Sequence, residues 1–117
     1  MHDEETTIRQ LRDKMQKFID DRKWGTYHYP KELAVALNIE ASELLELFLF
    51  QDYSLDDIKS DEKLYGHIKD EAADILAYLL SIVNCLGMDL TSAFVEKMKK
   101  NDQKYPTSRF YGNYEKQ

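Results

Sequence analysis

The sequence predicts an all-α protein with four main helices in a small antiparallel bundle that self-association completes. The chain of 117 residues contains only four glycines and two prolines, and no stretch alternates with period two for long enough to indicate a strand. Apolar residues instead recur at helical spacing. A chain of this length is expected to form one domain with a modest core. We place this domain at residues 1–106 and a C-terminal tail at residues 107–117.

The first helix is predicted over about residues 4–22, where apolar residues recur on one face and charged residues on the other. The apolar positions are Ile8, Leu11, Met15, Phe18 and Ile19. Gly25 is expected to break this helix, and residues 23–29, which are rich in aromatic side chains, are expected to form a structured loop. Pro30 suits the first turn of the second helix, because its missing N–H costs nothing there.

The remaining helices are predicted from apolar runs and capping residues. The second helix spans about residues 31–51, and a polar connector with a short helical turn follows over residues 54–61. The third helix runs from residue 61 or 62 to Leu86, and Gly87 is its expected C-terminal cap. Asp89 is the expected N-cap of a fourth helix that ends between residues 101 and 104, before Pro106.

Composition excludes several classes of protein. The formal charge of −6 argues against a nucleic-acid polymer as partner, because such binding depends on clustered cations. Cys85 is the single cysteine, which favours a reducing compartment. The N-terminus lacks the pattern of a signal peptide, and the apolar runs are too short to span a membrane. We therefore expect a cytoplasmic protein without a membrane partner. The absence of a GxxxxGK[ST] motif excludes a P-loop enzyme.

Two pairs of acidic residues on the second and third helices predict a metal site. Glu40 lies in the middle of an apolar helix face and Glu43 lies one turn further on, whereas Glu46 faces the polar side. Burying a carboxylate without a partner costs several kcal/mol, so this placement requires a reason. Glu71 and Asp74 repeat the same spacing on the third helix, where a solvated face is the alternative interpretation.

If the two pairs face each other in the bundle, a cation must neutralise them. Carboxylates about 5 Å apart repel by roughly 3 kcal/mol per pair at an effective dielectric constant near 20. Oxygen ligands without histidine or cysteine select a hard cation, so we expect Mg²⁺, with Mn²⁺ as a substitute. The same packing turns the apolar back of the third helix outward. We therefore expect a homo-oligomer, and we favour a tetramer over a dimer.

Four stretches of sequence carry a resemblance to a known family. They are RKW with His28 and Pro30, the segment IEASELLELF from Ile39, the segment EAADILAYL from Glu71, and KMKKN from Lys97 with KYP from Lys104. In this order and spacing, the chain from Phe18 to Pro106 resembles the MazG-like all-α nucleoside triphosphate pyrophosphohydrolases, in particular their small dCTP-pyrophosphatase-like branch.

The resemblance implies hydrolysis of a nucleoside triphosphate between the α and β phosphorus atoms. It implies that the metal ligands are Glu40, Glu43, Glu71 and Asp74, and that the catalytic residues are Glu40, which would orient the attacking water, and Glu43. The implied substrate contacts are Lys97, Asn101 and Lys104 for phosphate and sugar, Tyr78 as a pocket wall, and Trp24, His28 and Phe50 for the base. Tyr105, within the KYP segment, is a further implied substrate contact. In this family a neighbouring subunit often completes the base pocket.

Two departures from the family pattern and several alternatives bear on the substrate. Phe50 stands where the dCTP-type proteins usually have tryptophan, and Glu32 stands where asparagine is common. The leading hypothesis is pool cleaning with dCTP-like pyrimidine substrates. One alternative is a dUTPase or a hydrolase of modified nucleotides on the same scaffold, and another is a non-enzymatic helical oligomerisation module that binds divalent ions. For Trp24 and Tyr27, a hydrophobic lid on the bundle remains an alternative to base stacking.

Overall fold

The computed structural model describes residues 1–113, and all of its regular structure is helical. The α-helices are α1 (Ile8–Asp21), α2 (Pro30–Glu46), α3 (Leu55–Ser60), α4 (Glu62–Leu86), α5 (Leu90–Lys104) and α6 (Thr107–Phe110). A 3-10 turn at Gly25–Tyr27 lies between α1 and α2. The prediction of an all-α fold with four main helices, α1, α2, α4 and α5, is confirmed.

The chain forms two compact units, one from Met1 to Gly87 and one that begins at Met88. In the first unit α4 is the central helix. It packs most extensively against α2 and also contacts α1 and α3. The assignment of residues 1–106 to one domain stays a prediction. Residues 114–117 of the predicted tail lie outside the described residues.

Helix α1 begins four residues later than predicted because Thr7 caps it. The Thr7 side chain accepts a hydrogen bond from the Gln10 backbone N–H at 3.2 Å, and the Gln10 side chain accepts from the Thr7 N–H at 2.7 Å. These reciprocal bonds form a capping box, which satisfies two N–H groups at the helix terminus. The sequence Thr-x-x-Gln carried this signal, but the analysis of apolar spacing did not use it.

Helix α1 ends at Asp21, and the chain turns at Lys23 rather than at Gly25. Lys23 has a φ of +54°, which lies in the left-handed region, whereas Gly25 is not among the described residues with positive φ. The Lys23 N–H donates to the Asp20 carbonyl at 3.1 Å, and the Trp24 N–H donates to the Ile19 carbonyl at 3.1 Å. This is the Schellman pattern, in which the left-handed position is usually glycine. The expectation that Gly25 breaks the helix is therefore wrong.

Replacing Lys23 by glycine is expected to stabilise the protein. A left-handed conformation costs a residue with a side chain roughly 1–2 kcal/mol, part of which glycine loses again through its greater freedom in the unfolded chain. We expect Lys23→Gly to raise the free energy of unfolding by about 0.5–1 kcal/mol in urea denaturation. The control is Lys23→Ala, which removes the charge but keeps Cβ. Equal stabilisation by both variants would contradict this explanation.

Helix α2 ends at Glu46, so the predicted end at residue 51 is wrong. The N–H groups of Leu47, Phe48 and Leu49 bond to carbonyls three residues earlier, at 3.0–3.2 Å. Phe50 then adopts a φ of +59° and ends the turn. The apolar periodicity continues past the last α-helical residue because these tight turns keep similar side-chain spacing.

Helices α3 and α4 follow the capping signals in the sequence. The Ser54 side chain accepts from the Asp57 N–H at 3.1 Å, which confirms the helical turn in the connector. The Asp61 side chain accepts from the Leu64 N–H at 3.0 Å. Gly87 has a φ of +63° and caps the other end of α4. Both predicted ends of the third helix are therefore confirmed.

The core of the first unit is small and includes a buried arginine. Its buried apolar residues are Ile19, Leu33, Leu64, Leu80 and Val83. Arg12 on α1 is also buried, and its Nε donates to Asn84 Oδ1 at 2.9 Å. Its Nη2 donates to the Val83 carbonyl at 3.3 Å, and Asn84 Nδ2 donates back to the Arg12 carbonyl at 3.0 Å. These bonds join α1 to the C-terminal end of α4, where the helix dipole favours a cation.

Loss of the Asn84 amide is expected to destabilise the protein strongly. Because Arg12 stays buried, Asn84→Ala leaves a charged donor without its acceptor, and such groups cost about 2–3 kcal/mol. We expect a loss of that size in the free energy of unfolding, measured by urea denaturation. Asn38→Ala, on an exposed position of α2, is the matched control and should change it by less than about 0.5 kcal/mol. A similar loss in both variants would contradict the role of the Arg12–Asn84 bonds.

The second unit contains α5 and α6. The Asp89 side chain accepts from the Ser92 N–H at 3.4 Å, so the predicted N-cap of the fourth helix is confirmed. After Pro106 the chain forms the short helix α6, where the sequence analysis found no regular pattern. The Phe110 ring packs edge-on against the Tyr105 ring, with 5.2 Å between centroids. Lys104 Nζ lies 5.4 Å from the centre of the Tyr105 ring.

Large apolar side chains remain exposed on the first unit. On α2, Ile39 and Leu45 are 51% and 71% exposed. On α4, Leu76 and Leu79 are 38% and 36% exposed. Exposed apolar residues thus lie on α4, where the sequence predicts an uncovered face, and also on α2.

Among the described residues, no single helix is long and apolar enough to cross a membrane. Only α4 and α5, taken together across the sharp bend between them, reach that length and composition.

Candidate metal centre

Three of the four predicted acidic ligands meet where α2 packs against α4. Glu40, Glu43 and Glu71 each offer a carboxylate oxygen, and these oxygens lie within 4.8 Å of one another. Glu40 and Glu43 lie one turn apart on α2, so their side chains leave the same side of the helix. Glu71 reaches them from α4. The prediction that acids of the two helices face each other thus holds for these three residues.

Asp74 lies close enough to act on this cluster electrostatically. It is not one of the three residues grouped within 4.8 Å, but its negative charge contributes to raising the pKa of Glu40. Asp74 and Glu43 are exposed, whereas Glu40 and Glu71 are half-buried. The cluster therefore has a buried side formed by Glu40 and Glu71 and a solvent-facing side formed by Glu43 and Asp74.

Crowding of carboxylates makes Glu40 a weaker acid than an ordinary glutamate when no metal is bound. A hydrogen bond shared with Glu71 is the main cause that raises the pKa of Glu40 from its usual 4.5 to about 7. Partial burial, a hydrogen bond and the charge of Glu43, and the charge of Asp74 act in the same direction. Glu40 holds its proton more tightly because a second charge beside neighbouring carboxylates costs free energy. A bound cation would remove the need for the proton.

The donor set fits a hard divalent cation. One carboxylate oxygen of Glu40 and one of Glu71 are buried, and no N–H or hydroxyl group of the described residues donates a hydrogen bond to them. A buried carboxylate oxygen without a donor costs free energy, so such atoms are normally paired. Oxygen-only ligands of this kind suit Mg²⁺ or Mn²⁺, which keep some positions for water and phosphate. The residues present thus satisfy the chemical requirements of a metal site.

The predicted base contacts occupy different environments. Trp24 is 42% exposed and lies in the turn that follows α1. His28 is half-buried, and its Nδ1 is buried without a hydrogen-bond partner in the described residues. Phe50 is 96% exposed, in the turn after α2. Within the first unit, Tyr78 is half-buried on α4. The roles of all four residues in binding substrate stay predictions.

The predicted phosphate and sugar contacts all lie in the second unit. Lys97 and Lys104 are exposed on α5, and Asn101 is half-buried on the same helix. Asn101 Nδ2 lies 3.8 Å from the sulfur of Met98. Tyr105 is half-buried and packs against Phe110, as described above. Binding of phosphate or sugar by these residues stays a prediction.

The sequence analysis did not identify an aromatic cluster beside Trp24. The Phe18 and Trp24 rings meet edge-on with centroids 5.8 Å apart, and the guanidinium carbon of Arg22 lies 3.7 Å from the Phe18 ring centre. Phe18 was assigned only to the apolar face of the first helix, and Arg22 only to the family motif. The spacing Phe-x-x-x-Arg was the available signal for the Phe18–Arg22 contact, since residues four apart lie on one helix face.

The fold and the acidic cluster define an all-helical protein with a candidate site for a divalent metal. A model of the MazG-like family matches residues 35–116, which include all four acidic residues. The chain belongs to the MazG-like family, and the resemblance stated from the sequence is confirmed. Trp24 and His28 precede the matched segment.

Individual proteins are also similar to this chain. It is 31% identical over 103 residues to dCTP pyrophosphatase 1 of Rattus norvegicus and 30% identical to dCTP pyrophosphatase 1 of Homo sapiens. Each alignment covers 87% of this chain and 61% of the relative, so the chain spans about three-fifths of these curated relatives. The crystal structure of a pyrophosphatase from Archaeoglobus fulgidus superposes with a TM-score of 0.77 at 37% identity, covering 91% of this chain and 98% of the other.

Proposed function

We propose that this protein hydrolyses a nucleoside or deoxynucleoside triphosphate to the monophosphate and pyrophosphate. The observation that carries the proposal is the cluster of Glu40, Glu43 and Glu71, with its buried carboxylate oxygens that lack hydrogen-bond donors. Membership of the MazG-like family and similarity to proteins named dCTP pyrophosphatase and pyrophosphatase support the same activity.

In this proposal Glu40, Glu43, Glu71 and Asp74 hold Mg²⁺, for which Mn²⁺ can substitute. When bound, the metal would supply positive charge that neutralises the phosphate oxygens, which is most of what such a reaction requires. Glu40 is proposed to orient the attacking water, because it lies half-buried in the cluster and its neighbours raise its pKa to about 7. Glu43 supports the same site from the solvent-facing side. Lys97, Asn101 and Lys104 are proposed to contact the phosphates and the sugar, and Tyr105 is proposed as a further substrate contact.

The proposed substrates are dCTP-like pyrimidine nucleotides, and the proposed role is cleaning of the nucleotide pool. Similarity to the rat and human proteins named dCTP pyrophosphatase 1 supports cytosine as the base. Trp24, His28, Phe50 and Tyr78 are assigned to the base side. The buried Nδ1 of His28, which lacks a partner, supports a ligand contact there. Phe50 stands where a tryptophan is usual in the dCTP-type proteins, so the preference among pyrimidines must be measured.

We also propose a homo-oligomer, with a tetramer favoured over a dimer. The exposed apolar residues of α2 support self-association, because large uncovered apolar areas are rare on monomers. Phe50 is 96% exposed, which supports a base pocket completed by a neighbouring copy. Light scattering after size exclusion would give the mass in solution. A cytoplasmic location and the absence of a nucleic-acid polymer partner stay predictions.

The test is a panel of triphosphates with the metal omitted as control. Incubation with dCTP, dUTP, CTP and 5-methyl-dCTP in Mg²⁺ should release pyrophosphate and the matching monophosphate, and chelation of the metal should stop the reaction. Release of orthophosphate instead would place the cleavage at a different bond. If dUTP or the modified nucleotide is the best substrate, the alternative substrate classes are correct. Metal binding without any turnover would favour the non-enzymatic oligomerisation module.

A further inference from the structure

The turn after α1 folds the chain's single tryptophan back onto the helix. The backbone of Lys23 is in the left-handed conformation, so the chain reverses direction before Trp24. The Trp24 N–H then donates to the Ile19 carbonyl at 3.1 Å. The indole then meets the Phe18 ring edge-on, with an interplanar angle of 75°. Edge-to-face contacts of this kind contribute about 0.5–1.5 kcal/mol beyond the area they bury, so they favour one ring orientation.

Arg22 braces both rings. Its guanidinium carbon lies 3.7 Å from the centre of the Phe18 ring and 5.9 Å from that of Trp24. Nη1 also donates to the Phe18 carbonyl at 3.0 Å, which fixes the plane of the group. In the part of the chain described by the structure, no carboxylate lies within ion-pair distance of Arg22, although the sequence has 22 acidic residues. The arginine therefore interacts with the rings, for which its planar group is well suited.

The cluster leaves part of the indole open to solvent. Trp24 and Phe18 are each 42% exposed, so the braced ring still presents surface that a planar ligand can cover. Stacking of one base on an aromatic side chain is worth about 1–3 kcal/mol. More of this free energy appears as affinity when the ring is already held in place, because binding then orders fewer groups.

We infer that Phe18 and Arg22 are positioning residues that hold Trp24 as the stacking surface for the base of the substrate. The inference rests on the proposed function, in which Trp24 contacts the base, and it adds two residues that the sequence analysis did not place in the site. Arg22 acts through the indole and does not contact the substrate. Its contribution therefore depends on the presence of Trp24.

The test uses Arg22→Lys and Phe18→Leu, with Arg9→Lys on an exposed position of the same helix as matched control. Because Trp24 is the only tryptophan, its fluorescence reports the cluster directly. Both variants should shift the indole emission to longer wavelength and increase acrylamide quenching, whereas Arg9→Lys should change neither. They should raise KM for dCTP about 5- to 10-fold with kcat nearly unchanged, as expected for lost ground-state binding.

A double-mutant cycle separates positioning from other roles. Calorimetric affinity for dCMP, which needs no turnover, is measured for Arg22→Lys, Trp24→Ala and the double variant. The double variant should bind dCMP as weakly as Trp24→Ala alone, because Arg22 has no further effect once the indole is absent. An additive loss in the double variant would overturn the inference, as would altered fluorescence with unchanged KM and dCMP affinity. Failure of the wild-type protein to release pyrophosphate would overturn the proposed function, while fluorescence and dCMP affinity still decide the role of Arg22.

Discussion

Glu43→Gln is expected to lower the rate of pyrophosphate release by about 100-fold or more. Removal of one hydrogen-bond donor from a catalytic site costs about that much in kcat. Removal of a charged ligand from a metal site that neutralises phosphate should cost at least as much. Glu43 is exposed, so the amide replaces a carboxylate oxygen without creating a cavity. Relief of repulsion within the cluster should leave the fold at least as stable as before. The measurement is kcat with dCTP at saturating Mg²⁺, together with circular dichroism and the solution mass.

Glu46→Gln is the matched control for this substitution. Glu46 lies on the same helix and is exposed, but it does not belong to the carboxylate cluster. The control should keep kcat within about twofold, as surface substitutions away from a site usually do. Equal effects of the two variants on kcat, or full activity in Glu43→Gln, would contradict the assignment of Glu43 to the metal site.

The metal-free protein is expected to lose stability as the pH rises from 5 to 8, and divalent metal should restore it. The folded state raises the pKa of Glu40 to about 7 from its usual 4.5, chiefly through the hydrogen bond with Glu71, so the folded state binds this proton more tightly than the unfolded state. The resulting stabilisation is complete below about pH 4.5 and is lost as the pH rises through about 7. The metal competes with this proton for the Glu40 carboxylate, so the stabilisation of the protein by metal should grow as the pH rises.

Thermal unfolding in Mg²⁺ and in chelator at pH 5 and pH 8 measures this linkage. With metal at about 100 times its Kd, we expect Tm at pH 8 to rise by roughly 10 °C, and by much less at pH 5. Sodium chloride at matched ionic strength controls for screening of the carboxylates. Glu40→Gln should flatten the pH dependence of the metal-free protein and reduce the effect of Mg²⁺. A metal effect that is equal at both pH values would contradict the assignment of the cluster as the binding site.

Helix positions could be predicted where capping residues and apolar spacing agreed. Asp61 and Gly87 set both ends of α4 because each supplies a local hydrogen-bonding or backbone property that needs no tertiary contact. The end of α2 could not be read from apolar spacing, since residues 47–49 keep helical side-chain spacing in tighter turns. The end of α1 depends on a lysine in a conformation that favours glycine, which composition does not reveal.

The candidate site was predictable to the extent that each helix carries its own acidic pair. The position of Glu40 in an apolar helix face indicated that the two acidic pairs meet. In the structure, carboxylate oxygens of Glu40, Glu43 and Glu71 lie within 4.8 Å of one another. The different environments of Asp74 and Glu71 depend on how far each side chain reaches across the helix contact, which spacing alone does not determine. The contact of Arg22 with Trp24 follows from the left-handed turn between them and could not be predicted without it.

The bonds between Arg12 and Asn84 join residues that are 72 positions apart and bear on where the chain can be cut. The MazG-like family model begins at residue 35 and so omits α1. A fragment trimmed to that boundary would uncover the Val83 carbonyl and the Asn84 amide at the end of the helix that carries Glu71 and Asp74. Expression boundaries for this protein should therefore include the N-terminal helix, which packs against the helix that carries Glu71 and Asp74.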